Sequence, residues 1–238
     1  MAKEPKPKGI MNVPASELPA VPEDALDFRS SFQWRVFRIM AEFVDGWQFL
    51  ADFKRTVTFF GSARFEEGNR WYETARELGA MLAKAGFGVI TGGGPGIMEA
   101  GNRGAMESDG DSIGINIKLP AEQRMNAYVT KSVGFHYFFV RKVMLSYSAQ
   151  AYVYFPGGFG TLDEFFEITT LIQTKKIAHI PLICIGREFW EPLASWIRLE
   201  MLEKFKAIDN ADLEIFTIVD TAQEAFEIIK KSPERTDF

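Results

Sequence analysis

The amino-acid sequence predicts a doubly wound α/β fold: a parallel sheet flanked by helices, with an N-terminal helical extension. Short apolar runs alternate with segments of helical periodicity along most of the chain. That alternation calls for parallel pairing, because crossover helices must cover both faces of the sheet. Two glycine-rich turns, TGGGPG and PGGFGT, each stand between an apolar run and a helical pattern, which is where a Rossmann-like sheet carries its ligand loops. The 238 residues suit one such domain with an extension, and 47% hydrophobic against 25% charged residues suffices for a core without disulfides or metals.

Residues 1–25 carry Pro5, Pro7, Pro14, Pro19 and Pro22, a spacing that prevents regular helix and predicts a flexible arm. Over 26–53 apolar residues return at helical spacing, among them Phe28, Phe32, Val36, Ile39, Phe43, Trp47 and Leu50. One or two amphipathic helices are expected there, packed on the main domain, with Gly46 as a possible break. The main domain is expected to fill 54–238. TVTFF is its first strand, and Trp71 to Ala85 its first helix, with Ala75, Leu78 and Leu82 inward. A strand over Phe87 to Thr91 leads through a glycine turn to a helix from Gly96 to Glu107, and SIGINI supplies a third strand. An extended piece over Tyr128 to Val133 precedes a helix in HYFFVRKVMLSYSA and a strand in AYVYF. PGGFGT opens a long amphipathic helix. PLICIG, a helix over Glu188 to Glu203, FTIV, and a helix from Thr221 to Lys231 complete the alternation.

Charge and composition exclude several function classes. With 32 acidic and 27 basic side chains the net charge is −5, so nothing global attracts a nucleic acid and any phosphate site must be local. Cys184 is the only cysteine and cannot form an intramolecular disulfide. No apolar run has the length of a signal peptide core or a membrane span, which reads as a cytoplasmic protein. His136 and His179 are the only histidines, far apart and without metal-ligand spacing, so a metalloenzyme is not expected, although carboxylates could still hold magnesium; no cofactor is expected. No G-x-x-x-x-G-K-[ST] or G-x-G-x-x-G occurs, which removes support for ATP hydrolysis and dinucleotide binding.

In an open parallel sheet, ligands gather where strands end and helices begin, since the N–H groups there lack intrahelical partners. Four segments map to that edge: Gly61 to Arg64, which holds Ser62; Gly92 to Gly96; the start of the helix carrying Arg141; and Pro156 to Glu164. In the last, Gly157, Gly158 and Gly160 permit close backbone approach, and Thr161 adds a hydroxyl at the helix start, so an anion is expected there. A tight turn that merely needs glycine is the plainer alternative for either loop alone. Glu164, beside Phe165 and Phe166, is suited to act as a base, an acid or a stabiliser of positive charge; a carboxylate favoured by the helix dipole is the ordinary alternative. Arg141 stands near a helix start, where a cation is disfavoured without a compensating anion. Lys142 points elsewhere on the helix, as a solvated lysine would.

Together GGGPGIMEAGNRGA, FFVRKVML and PGGFGTLDE resemble the LOG family, the cytokinin riboside 5′-monophosphate phosphoribohydrolases, often misnamed lysine decarboxylases. The resemblance runs from Thr56 to Val219, and its most specific parts are P-G-G-x-G-T-x-x-E at Pro156 to Glu164 and the Arg141–Lys142 pair. It implies hydrolysis of the N-glycosidic bond of a nucleoside 5′-monophosphate, AMP or an N6-modified AMP, with Arg141 and Glu164 as the essential pair. It also implies a phosphate held by Gly157, Gly158, Gly160 and Thr161, a wall shaped by Gly93, Gly94 and Gly96, and a homodimer or larger even-numbered assembly. Ser62, Lys142, Asn102 and Gln173 are further candidates for polar contacts. Plant-type members carry Met-His-x-Arg-Lys where this chain has Phe138, Phe139 and Val140 before Arg141, which leaves the base open. The rival expectation is a non-catalytic carrier of a nucleotide or of molybdenum cofactor, which needs the glycine loops but not the Arg141 and Glu164 pair. Lysine decarboxylation with pyridoxal phosphate rests on the inherited name alone.

Overall fold

The computed structural model describes residues 32–117 and 125–234; the arm expected over 1–25 lies outside them. Seven strands form one parallel sheet in the order β4-β3-β2-β1-β5-β6-β7. They are β1 (Thr56–Phe60), β2 (Gly88–Thr91), β3 (Ser112–Ile117), β4 (Lys131–Phe135), β5 (Ala151–Tyr154), β6 (Leu182–Ile185) and β7 (Phe216–Val219). Helices α1 (Phe32–Ala51), α2 (Arg70–Lys84), α3 (Ile97–Glu107), α4 (Phe138–Ser146), α5 (Phe159–Gln173), α6 (Arg187–Trp196) and α7 (Ala222–Ile229) complete the frame. The chain winds outward from β1 to β4 and then returns to lay β5 on the other side of β1, so the loops after β1 and β5 diverge. Such a switch point opens a crevice at the carboxyl ends of the strands.

The period of two along each strand sorts the core into two layers. Val57, Phe59, Val89, Val153 and Ile183 face α2, α3 and α7. Ile90, Ile115, Tyr152, Tyr154 and Cys184 face the other way, toward α1, α4, α5 and α6. Both layers are dry: all ten of these side chains are fully buried.

Three expectations shift. Gly46 does not break α1, which runs through it as a single helix; the glycine is there because a Cβ would meet Met144 Sδ at 2.5 Å and Phe135 Cζ at 3.0 Å. The extended piece expected over 128–133 pairs instead as β4 at 131–135, its register to β3 running from Ile113↔Lys131 to Ile117↔Phe135. The last long helix also changes type: after Trp196 it widens to a π-helix over Ile197–Lys204. Along α1, Ile39, Phe43, Trp47 and Leu50 pack inward, whereas Phe32, Phe37, Met40 and Val44 on the opposite side are exposed.

Candidate active site

Three loops meet at the switch point and are tied through one residue. The Ser62 N–H donates to the Pro156 carbonyl at 3.0 Å, and the Ser62 carbonyl accepts from the Ile97 N–H at 3.0 Å. The loops after β1, β2 and β5 are thus held as one surface. Close approach makes the glycines necessary. Gly96 has φ +72°, and a Cβ on it would run into the Ser62 carbonyl oxygen; a Cβ on Gly157 would run into Thr161 Oγ1. Gly93 is likewise at φ +73°, with its N–H donated to Thr91 Oγ1 at 2.9 Å.

The helix starts differ in how their free N–H groups are served, and the first turn of any helix leaves such groups without intrahelical partners. Asn69 caps α2, Thr221 caps α7, and the Asp220 carboxylate accepts from the Arg187 N–H at the start of α6. The first N–H of α3 goes to Ser62. Just before α4, Glu42 of α1 accepts from the His136 and Tyr137 N–H groups, which places a carboxylate at the start of the helix that supplies Arg141. By contrast, α5 begins at Gly158 without a side-chain cap. A Cβ on Gly158 or Gly160 would meet nothing within 4 Å, so neither packing nor a left-handed backbone calls for glycine there. What the missing side chains leave is unobstructed access to a helix start that carries partial positive charge.

One turn further along α5, Glu164 turns inward. It is 4% exposed, and its Oε2 is buried without a hydrogen-bond partner. Burial pushes its carboxyl up to about 7; the nearby Arg141 and Lys142 cations pull it down, and Glu167 and Asp163 push back. Arg141 of α4 interacts with it electrostatically, its Nε donating to the Ile115 carbonyl at 3.3 Å. Burial draws the guanidinium below its ordinary value and Glu164 partly restores it; it stays charged. Gly92 gives the guanidinium its room, because a Cβ there would stand 2.5 Å from an Arg141 terminal nitrogen. A buried carboxyl poised near neutrality beside a fixed cation can exchange a proton and stabilise positive charge.

Lys142 is neither solvated nor directed at the helix start. It is 19% exposed and bridges Asp163 at 2.6 Å and Glu167 at 2.8 Å, which ties α4 to α5. Replacing Lys142 with Met should remove one cation that holds Glu164 down and release two carboxylates that push it up. The Glu164 titration, followed by carboxyl 13C NMR, should move to higher pH, and a midpoint that stays put would refute this electrostatic account.

Several expected contact residues are placed elsewhere. Gln173 stands at the far end of α5 and donates to Asp212 at 2.8 Å; twelve residues of helix, about 18 Å, separate it from Thr161. Asn102 is fully buried and spent on protein: its Oδ1 accepts from Thr91 at 2.6 Å and Asn126 at 3.0 Å, and its Nδ2 donates to Ser112 at 2.9 Å and the Ile113 carbonyl at 3.3 Å. It braces the Gly92–Gly96 loop from beneath. Asn126 had no local signal in the sequence, yet its N–H donates to the Gly93 carbonyl at 2.8 Å and its Nδ2 to the Gly94 carbonyl at 3.0 Å. The arrangement brings together Ser62, Gly93, Gly94, Gly96, Arg141, Gly157, Gly158, Gly160, Thr161 and Glu164. Among the described residues no group of three His, Cys, Asp or Glu side chains could hold a metal ion, and no helix is long and apolar enough to cross a membrane. A cleft of about 520 Å3 lies at the opposite edge of the sheet, lined by Asp52, Arg55, Gly88, Asp109, Asp111 and Glu234 among others. It faces the amino ends of the strands, where helix carboxyl ends and carboxylates disfavour an anion.

The parallel order, the switch point and the loops at its carboxyl edge define a Rossmann-like doubly wound α/β protein. The family model described as "Possible lysine decarboxylase" matches residues 98–229, and the chain belongs to that family, the LOG family. Two relatives are cytokinin riboside 5′-monophosphate phosphoribohydrolases. The one from Rhodococcoides fascians is 25% identical over 157 residues, 63% of this chain and 78% of the relative. The one from Oryza sativa subsp. japonica is 28% identical over 163 residues, and the match spans 66% of this chain and 65% of the relative. The solved molybdenum cofactor carrier protein of Chlamydomonas reinhardtii superposes with a TM-score of 0.56 at 20% identity, over 75% of this chain and 97% of its own; at that identity it speaks for the fold alone.

Proposed function

We propose that the protein is a nucleoside 5′-monophosphate N-glycosidase, releasing adenine or an N6-modified adenine and ribose 5-phosphate. The observation that carries this reading is the buried, unpartnered Glu164 carboxyl beside Arg141, one turn from an uncapped, glycine-lined helix start. The 5′-phosphate is held by the first-turn N–H groups of α5 with Gly157, Gly158, Gly160 and Thr161. That anchor sets the ribose over Glu164. As the bond from C1′ to the base breaks, its electron pair leaves with the base and positive charge spreads over C1′ and the ring oxygen. The ionised Glu164 stabilises that charge and takes the proton of the water that adds at C1′; the departing base takes up a proton from solvent and Glu164 returns its own to solvent, which leaves neutral base and restores the carboxylate. Arg141 keeps Glu164 partly ionised at neutral pH and donates hydrogen bonds to the substrate. The names of the Rhodococcoides and rice relatives support the substrate class.

The test is chromatographic detection of free base and ribose 5-phosphate after incubation with AMP and with N6-isopentenyl-AMP, beside Arg141→Ala and Glu164→Ala. Release by the unaltered protein alone is the expected result, and its ratio between the two nucleotides ranks the base. Tight nucleotide binding without release would transfer the site to a nucleotide or molybdenum cofactor carrier and reduce Glu164 to a buried helix-start carboxyl.

A further inference from the structure

We propose that Glu42 of α1 is a positioning residue for Arg141, which makes the amino-terminal helix a working part of the site. The inference rests on the role given to Arg141 above. Helix α4 has no cap from its own segment: Tyr137, the residue before its first turn, contributes no side-chain hydrogen bond. The cap comes from 94 and 95 residues away, where Glu42 Oε1 accepts from the His136 N–H at 2.8 Å and Oε2 from the Tyr137 N–H at 3.1 Å. Tyr137 is also the link to the arginine, since its carbonyl accepts the Arg141 N–H at 3.2 Å. A continuous path therefore runs from the Glu42 carboxylate through the Tyr137 peptide to Arg141, and from its guanidinium to the Ile115 carbonyl.

Packing fixes the same register. Gly46, one turn beyond Glu42, lets Met144 of α4 lie against the α1 backbone, and the Trp47 and Tyr147 rings meet edge to face with centroids 5.6 Å apart. Glu42, Gly46, Trp47 and Leu50 thus share one side of α1, by helical spacing. Charge adds a second reason: a cation in the first turns of a helix faces the positive dipole end, and an anion at that end offsets the repulsion. Glu42 supplies it. Loss of the cap lets the first turn of α4 fray and Arg141 swing, and misplacement of a positioning group by about 1 Å costs up to about 100-fold in rate.

The experiment uses the full chain labelled with 15N, unaltered and as Glu42→Ala, Glu42→Gln and Glu42→Asp, first without substrate. The Arg141 Nε–H resonance is assigned by its loss in Arg141→Lys. In Glu42→Ala the His136 and Tyr137 amides should lose exchange protection and the Arg141 Nε–H signal should shift and broaden. Glu42→Gln, which keeps one acceptor oxygen and the fold, should fall between. With AMP, Glu42→Ala should lower kcat about tenfold with a smaller change in KM, within the range set by misplacement. In an Arg141→Ala background the same substitution should change kcat less than about twofold, because residues acting through one group are not additive. Loss of amide protection with an unchanged Arg141 signal, or effects that multiply in the double variant, would overturn the proposal and leave Glu42 as a cap for the fold alone. If neither nucleotide is hydrolysed, the resonance still decides, so the glycosidase reading and this one fail separately.

Discussion

Glu164→Gln is expected to abolish hydrolysis and at the same time stabilise the fold above neutral pH. The amide cannot accept the proton from water or carry the charge that stabilises an oxocarbenium-like state, and loss of such a group costs about 100- to 10,000-fold in rate. The stability effect follows from linkage. Burial raises the folded-state carboxyl from 4.5 to about 7, so between those values the folded chain holds a proton that the unfolded chain has released. The unfolded state then binds fewer protons, and stability falls as pH rises through that window. At about 1.4 kcal/mol per unit the ionised Glu164 costs on the order of 3 kcal/mol at pH 8. Glu164→Gln removes that cost, so its melting temperature should exceed that of the unaltered protein at pH 8 and match it near pH 4. The rate of the unaltered protein should in turn rise with pH through an acid limb centred near 7, as ionisation of Glu164 proceeds. A variant that melts no higher at pH 8 would mean the carboxyl is not held in the desolvated site described here.

The alternation of strands and helices was legible because each element declares itself locally, through β-branched runs such as TVTFF and LICI, or through apolar residues three and four apart in α2 and α5. The glycine loops were legible for the same reason: a strand, a turn and a helix lie within twenty residues of one another. The supports of the site were not. Glu42 reaches α4 across 94 residues, and Asn126 clasps Gly93 and Gly94 across more than 30; in sequence each is one polar residue without a periodic context. Lys142 misled for a related reason. Its helical position points away from Arg141, but its surroundings are set by Asp163 and Glu167 of another helix, and no spacing within FFVRKVML encodes that. Asn102 and Gln173 stand within motif-rich helices, and only the fold shows the first consumed by Thr91, Ser112 and Asn126 and the second turned to Asp212. Short-range geometry placed the loops, and long-range hydrogen bonds decided which side chains face them.

Gly92→Ala and Gly96→Ala, four residues apart in one loop, are expected to fail in opposite ways. At Gly96 a Cβ would press on the Ser62 backbone, and φ is +72°. Neither the carbonyl nor the left-handed backbone can yield without separating the loops after β1 and β2, a cost on the order of 3 kcal/mol. For a chain of this size that is roughly a 10 °C fall in melting temperature. At Gly92 a Cβ would meet the terminal nitrogen of Arg141 at 2.5 Å and Met98 Sδ at 2.9 Å, and no positive φ adds strain. Both obstacles are the far ends of flexible side chains, so the fold should adjust for less than about 1 kcal/mol. The adjustment itself moves the guanidinium away from Glu164. Gly92→Ala should therefore melt within a few degrees of the unaltered protein while losing about 100-fold in hydrolysis, close to Arg141→Ala, and the two substitutions combined should be no worse than Arg141→Ala alone. Thermal melts and AMP turnover on the three single variants and the double variant separate the cases. Full activity in Gly92→Ala would show that the guanidinium works from a position other than the one Gly92 makes room for, and the role assigned to Arg141 would fall with it.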